Sequence, residues 1–193
     1  VLKHTGYKII YGSYASTDVY YRKPLTFHTC NPQAPATSFV MVNDIHGDNK
    51  LLEDLMSRCN LTQTDFVLFN GDMLSFINSE DQLFKGFMDT AVRLFASEIP
   101  MYYARGNHET RGVFATEIQR YFSPCQEHLY YAFRQGPVYC IVLDTGEDKP
   151  DSDIEYAGIT QYDLYRTEQS EWLASILEST EYKEAPFKII VAH

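Results

Sequence analysis

The chain has 193 residues, 45% of them hydrophobic, which suits one full domain or one domain plus a fragment around a real core. Its formal net charge of -10 repels polyanions over a Debye length, so no nucleic acid is expected as substrate; a small phosphorylated ligand stays open, because bound divalent cations reverse the sign locally. No apolar run reaches the roughly eighteen residues of a membrane span, and the spread-out Cys30, Cys59, Cys125 and Cys140 contain no Cys-x-x-Cys pair of a zinc ribbon or redox motif.

Residues 7 to 29 alternate aromatic or aliphatic with polar positions, as in Tyr7-Lys8-Ile9-Ile10-Tyr11, and predict short antiparallel strands. Cys30 to Ser38 reads as a connector. Residues 1–36 are therefore taken as an N-terminal β segment or the edge of an accessory β domain, and 37–193 as the main domain. Neither end looks natural: Val1-Leu2-Lys3-His4-Thr5 is no signal peptide, and Ile189 to His193 reads as a strand cut from something longer.

Past the connector, short apolar runs alternate with helical stretches. The runs are Phe39–Val42, Phe66–Phe69, Met101–Ala104, Val138–Leu143 and Phe187–Val191, a pattern expected of strands buried on both faces. Leu51, Leu52, Leu55, Met56 and Cys59 share one helical stripe. Leu83, Phe84, Phe87, Met88, Ala91 and Phe95 share another, opened by a Ser79-x-x-Gln82 capping box, and a third helix is expected from near Thr167 through Leu177. Tyr130–Arg134 and Pro137–Leu143 read as a hairpin within the same sheet. The expected class is α/β: mixed, largely parallel sheets sandwiched by helices.

In such folds ligands bind beyond the carboxyl ends of strands, where this chain keeps its chemistry. The first strand runs into Asp44-Ile45-His46-Gly47, the second into Asn70-Gly71-Asp72, the third into Arg105-Gly106-Asn107-His108-Glu109. The fourth gives Asp144-Thr145-Gly146 and the last ends at His193. Each alone has an ordinary reading as a turn, a cap or an incidental histidine. Their shared register does not. Two carboxylates, an amide oxygen and imidazoles suit a pair of borderline cations such as Fe, Zn or Mn rather than calcium. Arg105 reads either as a phosphate contact or as half of a buried ion pair.

The order Asp44-x-His46, Gly71-Asp72, Gly106-Asn107-His108-Glu109 and a strand ending in His193 resembles the calcineurin-like metallophosphoesterase superfamily, over roughly residues 39–193. The Thr145-Gly146 turn and the Thr167-Glu168-Gln169-x-x-Trp172-Leu173 helix look like the same family's course. The resemblance implies two divalent or mixed-valence metal ions, one on Asp44, His46 and Asp72, the other on Asp72, Asn107 and His193. It implies a metal-activated hydroxide attacking a phosphate monoester or diester while His108 protonates the departing oxygen. The family's Gly-His-x-His motif would lie beyond His193. Ser75 stands where purple acid phosphatases carry a tyrosine, so no purple site is expected. The Asp-Arg-Gly element of protein phosphatases is missing after Asp72, which points to a small phosphorylated substrate. Some relatives carry an N-terminal β domain, and on that ground an extracytoplasmic protein is favoured. A binding module that keeps the fold without the full metal set is the alternative from another class. Oligomeric state is not legible.

Overall fold

The structure, a computed structural model, describes residues 25–122 and 127–193 in full and the backbone of residues 9–11 and 14–16. Most of the expected N-terminal β segment lies outside the described residues. What is described there is a pair of antiparallel three-residue strands, β1 (Ile9–Tyr11) and β2 (Tyr14–Ser16).

Strands β3 (Phe39–Val42), β4 (Phe66–Asn70) and β5 (Met101–Ala104) form a parallel sheet in that order. A second sheet holds β6 (Tyr131–Gln135), β7 (Val138–Val142) and β8 (Phe187–Val191), with β6 antiparallel and β8 parallel to the central β7. The hairpin β6–β7 thus belongs to a sheet of its own, not to the sheet of β3–β5.

Alternation along each strand sorts side chains into layers. Phe66 and Leu68 point with Ala104, Val138, Cys140, Val142 and Val191 into a core between the two sheets. Val67 and Phe69 point the other way, into a core shared with the helices that follow β3 and β4. Tyr139 and Ile141 face a third core against the last helices. Each sheet is therefore covered by helices on one face and by the other sheet on the opposite face, but β3 and β8 lie at sheet edges and are not buried throughout: Met41 and Ile190 are exposed.

Aromatics bind the two sheets together. The rings of Tyr102 and Phe133 stack with centroids 3.7 Å apart, and Phe66 meets Phe133 edge-on at 5.5 Å. The Tyr131 hydroxyl reaches across to the outer strand β5, accepting from the Tyr103 amide and donating to the Tyr103 carbonyl, each at 3.0 Å.

Helix α1 (Asn49–Ser57) starts where the Asp48 carboxylate accepts the Leu51 amide. Residues 80–96 form one helical run that alternates α turns, α2 (Glu80–Leu83) and α3 (Asp89–Ala91), with π turns at Phe84–Met88 and Val92–Ala96. Ser79 caps it by accepting the Gln82 amide, as expected, while the Gln82 side chain accepts from Asn78 rather than from Ser79. Gly86, in the first π turn, lies against Leu74: a Cβ there would come within 2.2 Å of its Cδ2, so the helix packs tightly on the loop after β4. After the short α4 (Gln119–Phe122), α5 (Tyr162–Glu178) begins five residues before Thr167. Its first amides, Tyr162 and Asp163, are taken by the carboxylate of Asp151 at 2.9 and 2.8 Å, a cap supplied from eleven or twelve residues upstream. Helix α6 (Thr180–Glu184) leads into β8. Among the described residues no helix is long and apolar enough to cross a membrane.

Candidate metal centre

The loops after β3, β4, β5 and β8 meet at one rim of the sandwich. Asp44, His46 and Asp72 all sit in the left-handed backbone region, at φ 56°, 51° and 56°. Non-glycine residues are uncommon there, and Asp and His are among the more tolerant. Such conformations cost about 1–3 kcal/mol each, and three of them in one place mark a segment whose surroundings dictate its shape.

Those surroundings are specific. The amide of Asp44 donates to the Gly71 carbonyl, that of His46 to the Asp72 carbonyl and that of Gly47 to the Met73 carbonyl, so the first two loops run side by side. Glu109, with no exposed surface, accepts the amides of Asp72 at 2.9 Å, Leu74 at 2.9 Å and Gly106 at 3.0 Å, pinning the third loop to the second. Burial pushes its carboxyl up, and the three amides pull back without cancelling the rise. Two glycines are required by the closeness of these loops. A Cβ on Gly71 would stand 2.6 Å from the His193 ring, and one on Gly106 would stand 2.2 Å from Asp72 Oδ1.

The side chains converge on Asp72, which is nearly buried. Its Oδ1 accepts the His108 amide at 3.1 Å. Its Oδ2 lies 3.2 Å from His193 Nε2, 3.8 Å from His108 Nε2 and 3.9 Å from His46 Nε2. Two clusters result, His46–Asp72–His108 and Asp44–Asp72–His193, each with its ligand atoms within 4.8 Å of one another. Asp72 belongs to both. Asp44 and His46 fall in different clusters yet stay close, 3.8 Å between Oδ1 and Nε2.

The tautomers follow from the opposite face of each ring. His193 Nδ1 is 2.7 Å from the Asn70 carbonyl and His108 Nδ1 is 3.0 Å from the Ser75 carbonyl. A carbonyl only accepts, so Nδ1 carries a hydrogen in both and Nε2 is the atom turned toward Asp72. His46 Nδ1 is held by the Ser75 hydroxyl at 3.1 Å. Lone pairs facing a carboxylate repel unless a cation or a proton stands between them. Burial lowers the His193 pKa, but the Asn70 carbonyl and the carboxylates of Asp72 and Asp44 outweigh it and hold the value above the ordinary one. The donor set fits a metal: imidazoles anchored through Nδ1 turn Nε2 toward a carboxylate they share.

Of the other residues singled out in the sequence, Asn107 lies on the same loop, between Gly106 and His108, with its main-chain carbonyl accepting from Thr110. Asp144 is not part of the cluster. It is fully buried and answers Arg105, whose Nη2 and Nε lie 2.8 and 3.1 Å from its two oxygens; Tyr165 donates a further hydrogen bond at 2.9 Å. Arg105 is thus half of a buried ion pair. Sequence reasoning gave no role to Glu109, Ser75, Glu147 or Arg111. The available signal for Ser75 was its position three residues after Asp72; its contacts, one through a carbonyl, carry no residue signature.

The calcineurin-like phosphoesterase family model matches residues 37–193. No curated protein matches the chain. A purple acid phosphatase from yellow lupin (Lupinus luteus) seeds superposes with a TM-score of 0.61 at 18% identity, over 84% of this chain and 31% of its own. A dimetal phosphatase from Danio rerio gives 0.55 at 13% identity, over 83% of this chain and 70% of its own. The chain thus spans under a third of the lupin protein, and at these identities the likeness is one of fold. A match over the whole α/β region, on a rim that gathers histidines and aspartates at strand ends, makes the chain a member of the calcineurin-like phosphoesterase family, a family of metal-dependent phosphohydrolases.

Proposed function

We propose that this rim hydrolyses a phosphate ester, monoester or diester, with two divalent or mixed-valence cations of the Fe, Zn or Mn type. Asp44, His46, Asp72, Asn107 and His193 would hold them, with Asp72 shared. The observation that carries the reading is the set of three Nε2 atoms facing one Asp72 oxygen while their Nδ1 atoms are held elsewhere. Two cations there supply positive charge against the phosphoryl oxygens and acidify water.

The chain's own residues do the rest. Asp72 accepts the His108 amide on Oδ1, which leaves Oδ2 as the oxygen for the centre. The Ser75 carbonyl fixes the His108 ring so that Nε2 is the atom that carries a proton to the departing oxygen. Glu109 keeps the second and third loops in place through the amides of Asp72 and Gly106.

Elemental analysis of the full-length protein, paired with turnover of a chromogenic phosphate ester, tests this. About two equivalents of transition metal and metal-dependent turnover are expected. Metal without turnover would favour a binding module; no metal at all would end the reading.

A further inference from the structure

We propose that Arg111 determines specificity at this rim: fixed by Glu147 against the His108 ring, its guanidinium takes a terminal phosphoryl oxygen and favours phosphomonoesters over diesters. The inference rests on the phosphoesterase reading and deepens it.

Arg111 leaves the third loop just past the Gly106–Glu109 motif. Its Nε and Nη2 lie 2.8 and 3.0 Å from the two carboxylate oxygens of Glu147, a fork-to-fork pair that sets the plane of the guanidinium. Glu147 comes from the loop after β7 and is nearly buried; the Thr110 hydroxyl donates to it as well, at 2.9 Å. Burial alone would raise its carboxyl, but the hydrogen bonds from Arg111 and Thr110 bring it below the ordinary value. The pair is thus ionised and its geometry is imposed from the second sheet.

The third guanidinium nitrogen lies against the His108 ring. Nη1 stands 3.3 Å from His108 Nδ1 and 3.4 Å from His108 Nε2, and the latter atom is 3.8 Å from Asp72 Oδ2. In this proposal a phosphoryl group seated at the rim beside His108 meets Nη1. Glu147 engages only two of the five N–H groups of a guanidinium, and 41% of the Arg111 side chain is open to solvent. The neighbouring arginines are committed elsewhere: Arg105 to Asp144, and Arg166 to Asp163 and the carbonyls of Thr145 and Glu147. A monoester dianion offers three terminal oxygens and two charges, whereas a diester offers two oxygens and one charge. A fixed donor of this kind therefore contributes more to the monoester.

The test compares wild type with Arg111→Ala, Arg111→Lys and Glu147→Gln in the metal-loaded, full-length protein. 4-Nitrophenyl phosphate and bis(4-nitrophenyl) phosphate are the substrates, and inorganic phosphate is titrated calorimetrically. Arg111→Ala is expected to lower kcat/KM for the monoester roughly ten- to a hundredfold, and for the diester under about threefold, with phosphate binding weakened in parallel. Lysine keeps the charge without the fork and falls between, and Glu147→Gln shifts the ratio in the same direction. Equal losses on both esters, or phosphate binding untouched by Arg111→Ala, would overturn the assignment. Should the alanine variant lose metal, the lysine and glutamine variants decide by the same ratio. If wild type binds phosphate but cleaves neither ester, the phosphoesterase reading fails, and Arg111 stands or falls on the titration alone.

Discussion

Asp72 and Asp144 occupy equivalent places, each just past the last residue of the central strand of a three-stranded sheet, and each is almost wholly buried. Their partners are opposite in kind. Asp144 meets a guanidinium, a tyrosine hydroxyl and the Gly146 amide, so its charge is answered within the protein. Asp72 meets three imidazole Nε2 atoms. A buried carboxylate faced by imidazoles calls for a proton or an external cation between them. The sheet that ends in Asp144 spends its carboxylate on cohesion, and the sheet that ends in Asp72 leaves its carboxylate for chemistry.

Removing each charge separates the two roles. Asp72→Asn is expected to cut kcat/KM on a chromogenic ester by about 10³-fold or more and to lower bound metal, with the melting temperature little changed. Asp144→Ala strands the Arg105 charge and should cost roughly 3–5 kcal/mol of stability, read by denaturant unfolding, while the remaining folded protein keeps its metal. If both variants lose metal and stability to the same degree, the distinction is gone.

Ser75→Ala probes the anchoring of the rings. It removes the hydroxyl on His46 but not the carbonyl on His108, so metal affinity should fall about ten- to a hundredfold, measured by competition with a chromogenic chelator. A smaller and graded effect is expected with pH. The His193 pKa is raised above 6.5, so as pH falls through that raised value a proton occupies Nε2 and competes with metal, weakening affinity by up to about tenfold per unit. In metal-free protein the sign reverses: the His193 contribution to stability is complete below about 6.5 and is lost as pH rises through the raised value, which unfolding curves across pH 5–9 would reveal.

Much of this was legible in the chain. The strands Phe39–Val42, Met101–Ala104 and Phe187–Val191 follow from apolar runs closed by polar residues, and the runs also mark where Asp44, Asp72, His108 and His193 gather. That the hairpin Tyr130–Leu143 belongs to a second sheet was not legible, because Phe66 and Leu68 look the same whether a helix or another sheet covers them. Asp144 resembled a ligand because position at a strand end is visible in sequence, whereas its pairing with Arg105 across 39 residues is not. The same separation hid Arg111 and Glu147, 36 residues apart on loops of different sheets. The start of α5 was missed because its cap, Asp151, comes from outside the local window.

Glu109 has a consequence for how ions arrive. Three amides from two loops close on one sequestered carboxylate, so hydrogen bonds from main-chain amides hold the second and third loops together. The expected consequence is ion capture by docking into a rigid receptor rather than by folding around a guest: amide exchange at Asp72, Leu74 and Gly106 should be slow in apo and loaded protein alike.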